Sequence, residues 1–221
     1  ENPRWGVIIQ AIYRSNFVLF GLPLTVSVFG DVASSVAAMV VTVVITIYNT
    51  TSVVILEMFN SEGKTDVKTI LVNVVKNPLL QGAMVGLVFF FLGIHVPKSL
   101  LTPIAAFADA TSPVALFVLG GTLHFNAIRG NLKYLVPALS LKLLVLPAVM
   151  LALGYAFGLR DLELFLLVAI YGTPVAAASY PMAQNMGGDG ELAGQFVVIS
   201  TVVAVGTLFG WIFFMKSVGL I

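Results

Sequence analysis

The chain has 221 residues, of which 59% are hydrophobic and 10% charged, and its mean hydropathy is +1.03. A soluble domain needs more polar and charged side chains for its solvated surface, so the composition predicts a protein embedded in a bilayer. The formal net charge of +1 argues against a nucleic-acid partner, and the lack of cysteine excludes disulfides and thiolate metal sites.

Apolar runs long enough to cross a hydrocarbon core, which takes about 20 residues, follow one another along the chain. Two of them each contain one basic residue, which is Arg14 in the first run and Lys142 in the fifth. We predict seven transmembrane helices from the runs at residues 10–29, 32–56, 77–97, 110–128, 134–158, 164–188 and 192–215.

The basic residues predict an orientation, because positively charged loops stay on the cytoplasmic side. They concentrate on the side of the N-terminus, where Arg4, Lys64, Lys68 and Arg129 lie, and few are on the opposite side. We therefore expect a multi-pass protein of the plasma or inner cell membrane, with its N-terminus in the cytoplasm and its C-terminus outside. The polar segment at residues 59–76 then becomes a cytoplasmic linker.

An internal alignment without gaps relates Pro23 to Pro181. In each copy, a run broken by proline ends in a Gly-Asp turn and a long apolar run follows. An odd number of predicted crossings separates the copies, so their orientations are opposite. Inverted repeats with broken helices at matching positions are typical of secondary transporters. The alternative is chance similarity between apolar runs, and a lone proline would indicate no more than a tolerated kink.

Ordered motifs cover nearly the whole chain, and they include RSNFVLFGLPL at residues 14–24, KNPLLQGAMVGL at 76–87, FADATSPVALFVLGGTL at 107–123 and TPVAAASYPMAQNMGGDGELA at 173–193. Together they resemble the auxin efflux carrier family, which includes bacterial malate and other organic-acid permeases and the plant PIN-type auxin carriers.

The resemblance implies an all-α membrane protein with ten helices in two inverted five-helix repeats, whose broken helices cross at mid-membrane as in sodium/proton antiporters. On this pattern, residues 1–58 hold the last two helices of the first repeat, and residues 77–221 hold the complete second repeat. The linker at 59–76 joins them. The first three helices of the family pattern are expected to be missing from this sequence.

A broken membrane helix is the expected binding site, because its free amide groups and the positive end of the next half-helix favour an anion. Pro174 suits the first turn of such a half-helix, and the internal alignment pairs it with Asn16. The resemblance implies that Asn16 contacts a substrate carboxylate, as the matching asparagine does in PIN-type carriers. Alternatively, its amide merely satisfies loosened backbone.

Because Ser15 precedes Asn16 where the family has proline, we expect the first break to lie nearer to residues 21–23. The predicted helix breaks are thus Pro23 and Pro181. The predicted substrate contacts are Asn16, Phe17, Thr173, Pro174, Val175 and Ala176.

Two charged residues, Asp109 and Lys142, are predicted to lie near the middle of the membrane, where charges are costly and usually paired or functional. One interpretation is a structural ion pair between them. A second gives Asp109 a role in coupling to protons or sodium, and a third has Lys142 contact the substrate.

The sequence therefore predicts a secondary transporter of small organic anions, such as dicarboxylates or auxin-like acids. We expect no enzyme activity, because an aspartyl protease built from Asp109 and Asp189 would need both carboxylates to meet inside the membrane. No cofactor, metal or nucleotide-binding loop is expected. The sequence leaves open whether the chain forms a homodimer. It also leaves open the alternative that the chain is a membrane sensor module or an incomplete transporter that does not transport.

Overall fold

The computed structural model describes residues 2–60, 72, 75–76, 78–94, 96–122 and 125–221. Helices account for almost all of this part of the chain, as the prediction of an all-α protein requires. Most of the predicted linker at 59–76 lies outside the described residues.

The described part of the chain contains a series of α-helices separated by short connections. The first five are α1 (Asn2–Tyr13), α2 (Leu22–Phe29), α3 (Val32–Asn60), α4 (Pro78–Phe91) and α5 (Lys98–Thr122). The next five are α6 (Phe125–Ser140), α7 (Leu146–Ala156), α8 (Asp161–Gly172), α9 (Ser179–Asn185) and α10 (Gly190–Ser217).

Three helical stretches in the described residues are long and apolar enough to cross a membrane. They are Ala33–Phe59 within α3, Ala127–Ala156 across α6 and α7, and Gly190–Ser217, which is α10. Helical segments also lie within the other predicted runs, but the count of seven crossings, the inverted five-helix repeats and the orientation stay predictions.

The helix breaks lie at Pro174 and beside Asn16, the two residues that the internal alignment pairs, and not at Pro23 and Pro181. Helix α1 ends at Tyr13 and the chain is non-helical over residues 14–16, while α8 ends at Gly172 before a non-helical stretch at 173–178. Pro23 and Pro181 lie instead in the first turns of α2 and α9, so the prediction of breaks there was wrong. At Pro181 the reason is that the first turn of a helix leaves its amides unpaired, so proline costs nothing there.

A wider helical turn precedes Pro23 and explains why the helix continues past it. In this first π-turn, at Phe17–Gly21, the carbonyl of Phe17 accepts the amide of Leu22, five residues ahead. Proline cannot donate a backbone hydrogen bond, and its ring crowds the preceding turn. The π-turn gives the ring room. The turn also needs glycine at its end, because a Cβ on Gly21 would collide with the ring of Phe17.

A second π-turn, at Leu141–Val145, precedes Pro147 in the same way and carries Lys142. Because Pro147 has no amide hydrogen, it cannot satisfy the carbonyl of Leu143 four residues earlier. The indole of Trp211 on α10 supplies the missing donor, with 3.0 Å between its Nε1 and the Leu143 oxygen. Trp211 thus fixes the segment that positions Lys142.

The core consists largely of two apolar clusters that meet at the breaks. One joins α1, α6 and α10 through side chains such as Val7, Leu135 and Phe196, and it includes Val175 of the second break. The other joins α8 to the first π-turn and includes the ring of Phe17. The two non-helical stretches are therefore held from both sides by packed side chains.

We predict that Trp211→Phe lowers the free energy of unfolding by about 1–2 kcal/mol, because the buried Leu143 carbonyl loses its donor. The measurement is thermal unfolding in detergent, with Trp5→Phe at an exposed site as the control. In a Pro147→Ala background, the backbone regains an amide hydrogen that can bond this carbonyl, so the cost of Trp211→Phe should shrink. An equal cost in both backgrounds would show that packing, not the hydrogen bond, is responsible.

Candidate functional site

The two helix breaks meet each other inside the protein. The backbone amide of Asn16 donates to the carbonyl of Pro174 at 2.7 Å, and Ser15 faces Val175 in an isolated antiparallel bridge. Asn16 and Pro174 are also the residues that the internal alignment pairs. An inverted repeat brings equivalent residues together at its axis, so this contact is the one that such a repeat requires.

The second break is also tied to α10. The amide of Val175 donates to the hydroxyl of Ser200 at 3.0 Å, and this hydroxyl donates to the carbonyl of Val197 at 3.1 Å. All three residues are buried. A backbone amide in this position has no water to bond, so the Ser200 hydroxyl replaces the helical acceptor that the break removes.

Arg14 lies in the first break and is buried, with 5% of its surface exposed. Its Nη2 donates to Oδ1 of Asn49 at 2.8 Å, and its Nη1 donates to the Ser52 hydroxyl at 3.1 Å and contacts the Met182 sulfur. Asn49 and Ser52 are three residues apart on α3 and so face the same way. Each of these partners is uncharged.

Lys142 is completely buried in the second π-turn. Its ammonium group donates to the Ser15 hydroxyl at 2.7 Å and approaches the carbonyl of Ile12 at 3.4 Å. The first break therefore contains one basic side chain, Arg14, and contacts a second, Lys142, through the Ser15 hydroxyl.

No carboxylate lies within ion-pair distance of Arg14 or Lys142 in the described residues, where the ion pair found joins Arg4 to Asp189. A buried charge normally has a counter-charge, since an unpaired cation at membrane depth costs about 3 kcal/mol. The meeting point of the breaks thus holds two positive charges balanced by neutral dipoles alone.

Further polar groups near the breaks are buried and make no hydrogen bond in the described part of the chain. They are the Thr173 hydroxyl, the Ser179 hydroxyl and both amide atoms of Gln10, one helical turn before Arg14. Buried polar groups are rarely left unsatisfied, and such groups can mark a place that a ligand completes. These groups could bind carboxylate or carbonyl oxygens, or a ligand hydroxyl.

The predicted contact residues are distributed unevenly over this site. Asn16 is half-buried at the crossing, and Thr173, Pro174, Val175 and Ala176 form the buried second break. The ring of Phe17 packs in an apolar cluster instead of facing the polar groups. Their roles in substrate binding stay predictions.

The structure does not bring Asp109 and Lys142 together. Asp109 is exposed on α5, whereas Lys142 is enclosed next to Ser15. The predicted ion pair is therefore not found in the described residues, because an exposed carboxylate on α5 cannot reach an enclosed ammonium group. The hypothesis that Asp109 takes part in ion coupling is unaffected by this geometry and stays a prediction.

Sequence reasoning missed Arg14 as a site residue. The prediction counted this arginine as a tolerated charge near the start of a run, although its place two residues before Asn16 was a usable signal. Ser52 gave no signal, because a serine in an apolar helix usually bonds within its own helix.

A second contact between the two broken segments lies at the other end of α1. The Nε of Arg4 donates to Oδ2 of Asp189 at 2.8 Å, and Oδ1 of the same carboxylate accepts the Leu192 amide at 3.0 Å, which caps α10. The carboxylate raises the pKa of the Arg4 guanidinium, and desolvation opposes this shift weakly. The pair links the start of α1 to the turn that follows α9.

Comparison with known proteins identifies the chain's relatives. A family model described as "Membrane transport protein" matches residues 2–212. The chain is 29% identical over 147 residues to a Rhizobium meliloti protein named "Putative malonate transporter", an alignment that covers 64% of this chain and 44% of that protein. It is 23% identical over 208 residues to an "Uncharacterized transporter" of Methanothermobacter thermautotrophicus, covering 94% of this chain and 67% of the relative. The chain thus spans less than half of the first relative.

We predict that Ser200→Ala lowers the free energy of unfolding by about 1–3 kcal/mol, because it leaves the Val175 amide buried without an acceptor. Hydrogen exchange should also become faster at this amide. Thr201→Ala is the matched control, since the Thr201 hydroxyl donates only to a carbonyl of its own helix in the described residues. If both variants behave alike, Ser200 does not hold the break.

Proposed function

Because this chain belongs to the Membrane transport protein family, we propose that it is part of a secondary transporter that moves small carboxylic acid anions across a membrane. The resemblance to the auxin efflux carriers agrees with this family. The substrate class rests on the charges at the crossing of the two breaks.

The observation that carries the proposal is the burial of Arg14 and Lys142 beside the breaks without a carboxylate among their described neighbours. An anionic substrate would supply the missing counter-charge. Its binding would therefore offset the desolvation free energy that two unpaired buried cations cost the protein when no substrate is bound. A guanidinium also binds a carboxylate through two parallel hydrogen bonds, which gives the site geometric selectivity.

The positions of the two cations favour a substrate with two carboxylates. Arg14 and Asn16 both belong to the first break and are two residues apart, and one carboxylate would bind the guanidinium and the Asn16 amide. Lys142, on the side of Ser15, would take the second carboxylate when the Ser15 hydroxyl releases it. The name of the Rhizobium meliloti relative, a malonate transporter, agrees with a small dicarboxylate.

The burial of this site implies alternating access, because a substrate cannot reach a closed crossing from either side. Opening requires the packed helices to separate around the breaks. The unwound backbone would remain next to the substrate throughout, as in other transporters built on broken helices.

We predict that Arg14→Gln and Lys142→Met each weaken malonate binding by about tenfold or more, since each removes a charge-assisted hydrogen bond. Binding is measured as the ligand-dependent rise in unfolding temperature and as uptake into proteoliposomes. Arg129→Gln, at an exposed site, is the control. Acetate should bind more weakly than malonate, and the neutral diamide should not bind.

The unfolding temperature without ligand separates binding from structure. A cation that is buried for the substrate's sake costs stability when no substrate is bound, so Lys142→Met should unfold at an equal or higher temperature. A variant that loses stability and binding together would indicate a structural lysine. If the unaltered chain shows neither binding nor uptake, a membrane module that does not transport is the better interpretation.

Coupling to a proton or sodium gradient is a further part of the proposal, and the candidate group is Asp109. We predict that Asp109→Asn flattens the pH dependence of malonate uptake, because the amide cannot take up or release a proton. Measurement at several pH values, with a matched sodium series, tests both ions. Unchanged dependence on pH and sodium would remove Asp109 from the coupling mechanism.

A further inference from the structure

A cavity of about 840 Å³ lies away from the crossing, where α7 ends, α8 begins and α10 ends. Its apolar wall includes Leu151, Trp211 and Phe214, and its charged rim is formed by Arg160 and Asp161. The helices that build the wall belong to two of the three long apolar stretches. The cavity therefore lies between the ends of two predicted spans.

Arg160 is held rigidly at this rim. Its Nη1 donates to the carbonyls of Tyr155 and Leu159 at 2.9 and 2.6 Å, and its guanidinium carbon lies 4.0 Å from the centre of the Tyr155 ring. The other guanidinium nitrogens make no hydrogen bond in the described residues. Three of the five N–H donors are therefore fixed in place and free for a ligand.

Asp161, the next residue, has an unusual backbone conformation. Its φ angle of 45° is in the left-handed region, which side chains other than glycine seldom adopt. The carboxylate makes no ion pair or side-chain hydrogen bond in the described part of the chain. Strained residues are often found at binding sites, because the fold must hold them in position. A guanidinium with free donors and a carboxylate without a partner among the described residues thus line the same apolar cavity.

We infer that this cavity binds a zwitterionic phospholipid with a primary amine, phosphatidylethanolamine being the natural example. The phosphate binds the free N–H groups of Arg160, the ammonium group binds Asp161, and the acyl chains lie along Trp211 and Phe214. The volume is within the range of about 300–1,000 Å³ that is usual for ligand pockets, and it suits a headgroup with the first part of its chains. The inference is independent of the transported substrate.

The experiment uses Trp211 as its reporter. The chain has two tryptophans, so Trp5→Phe leaves Trp211, in the cavity wall, as its single tryptophan, which is excited selectively at wavelengths that tyrosine does not absorb. This variant is reconstituted in phosphatidylcholine vesicles that contain rising fractions of phosphatidylethanolamine with brominated acyl chains, which quench a neighbouring indole. Brominated phosphatidylglycerol and brominated phosphatidylcholine are titrated in parallel.

We expect quenching to saturate at a lower fraction of phosphatidylethanolamine than of the other two lipids. Arg160→Gln and Asp161→Asn should each weaken this preference by about fivefold, as loss of a partly exposed charged contact does. Asn tolerates the left-handed conformation, so Asp161→Asn removes the charge and preserves the turn. Lys216→Gln, near the same end of α10 but outside the cavity, should have no effect.

Equal quenching by all three lipids would overturn the inference, because the cavity would then hold bulk lipid. Stronger quenching by phosphatidylglycerol with no effect of Asp161→Asn would also overturn it, in favour of an anionic headgroup. Displacement of the brominated lipid by inorganic phosphate would assign the site to free phosphate instead.

Discussion

The hydrogen bond from the Asn16 amide to the Pro174 carbonyl is the constraint on which the centre of this protein depends. Backbone groups inside a membrane must be satisfied by the protein, and an interrupted helix leaves several of them free. Here the carbonyl of Pro174 in the second break accepts the free amide of Asn16 in the first. The Ser200 hydroxyl accepts the free amide of Val175 in the second break. Neither break could persist at this depth alone. The contact between the breaks also determines where the two cations lie, because Arg14 is part of the first break and Lys142 is bonded to Ser15, the next residue.

Much of this arrangement could be predicted from sequence. Composition indicated the helical membrane class, and the internal alignment paired residues 16 and 174, which are in contact in the structure. Residue counting also placed Lys142 at depth. Pro174 does lie in a break, but Pro23 and Pro181 were also taken as breaks and instead lie in the first turns of helices. Pro23 and Pro147 do not interrupt their helices, since a π-turn ahead of each one accommodates the ring. No feature of the residues 17–21 or 141–145 reveals such a turn without the neighbouring helices.

Contacts across long sequence distances account for the rest of the difference. The environment of Arg14 is built by Asn49 and Ser52 on α3 and by Met182 on α9, which no local pattern connects. Asp109 shows the converse case. Its predicted position near the middle of the membrane suggested a partner for Lys142, but position along a helix does not fix the direction in which a side chain points. Arg14 and Lys142 became candidates for substrate binding because the groups around them are neutral, and only the packing of the helices shows which groups these are.

Pro174 also makes the two sides of the meeting point unequal. Two residues directly opposed in an antiparallel pair can exchange two hydrogen bonds, yet proline has no hydrogen to return. The Asn16 carbonyl accepts instead from the Phe20 amide at 3.1 Å and so belongs to its own downstream helix. The other segment relies on a hydroxyl of α10. A displacement of α10 would therefore reach the second break first, and it would reach the first break only through the bond between the Asn16 amide and the Pro174 carbonyl.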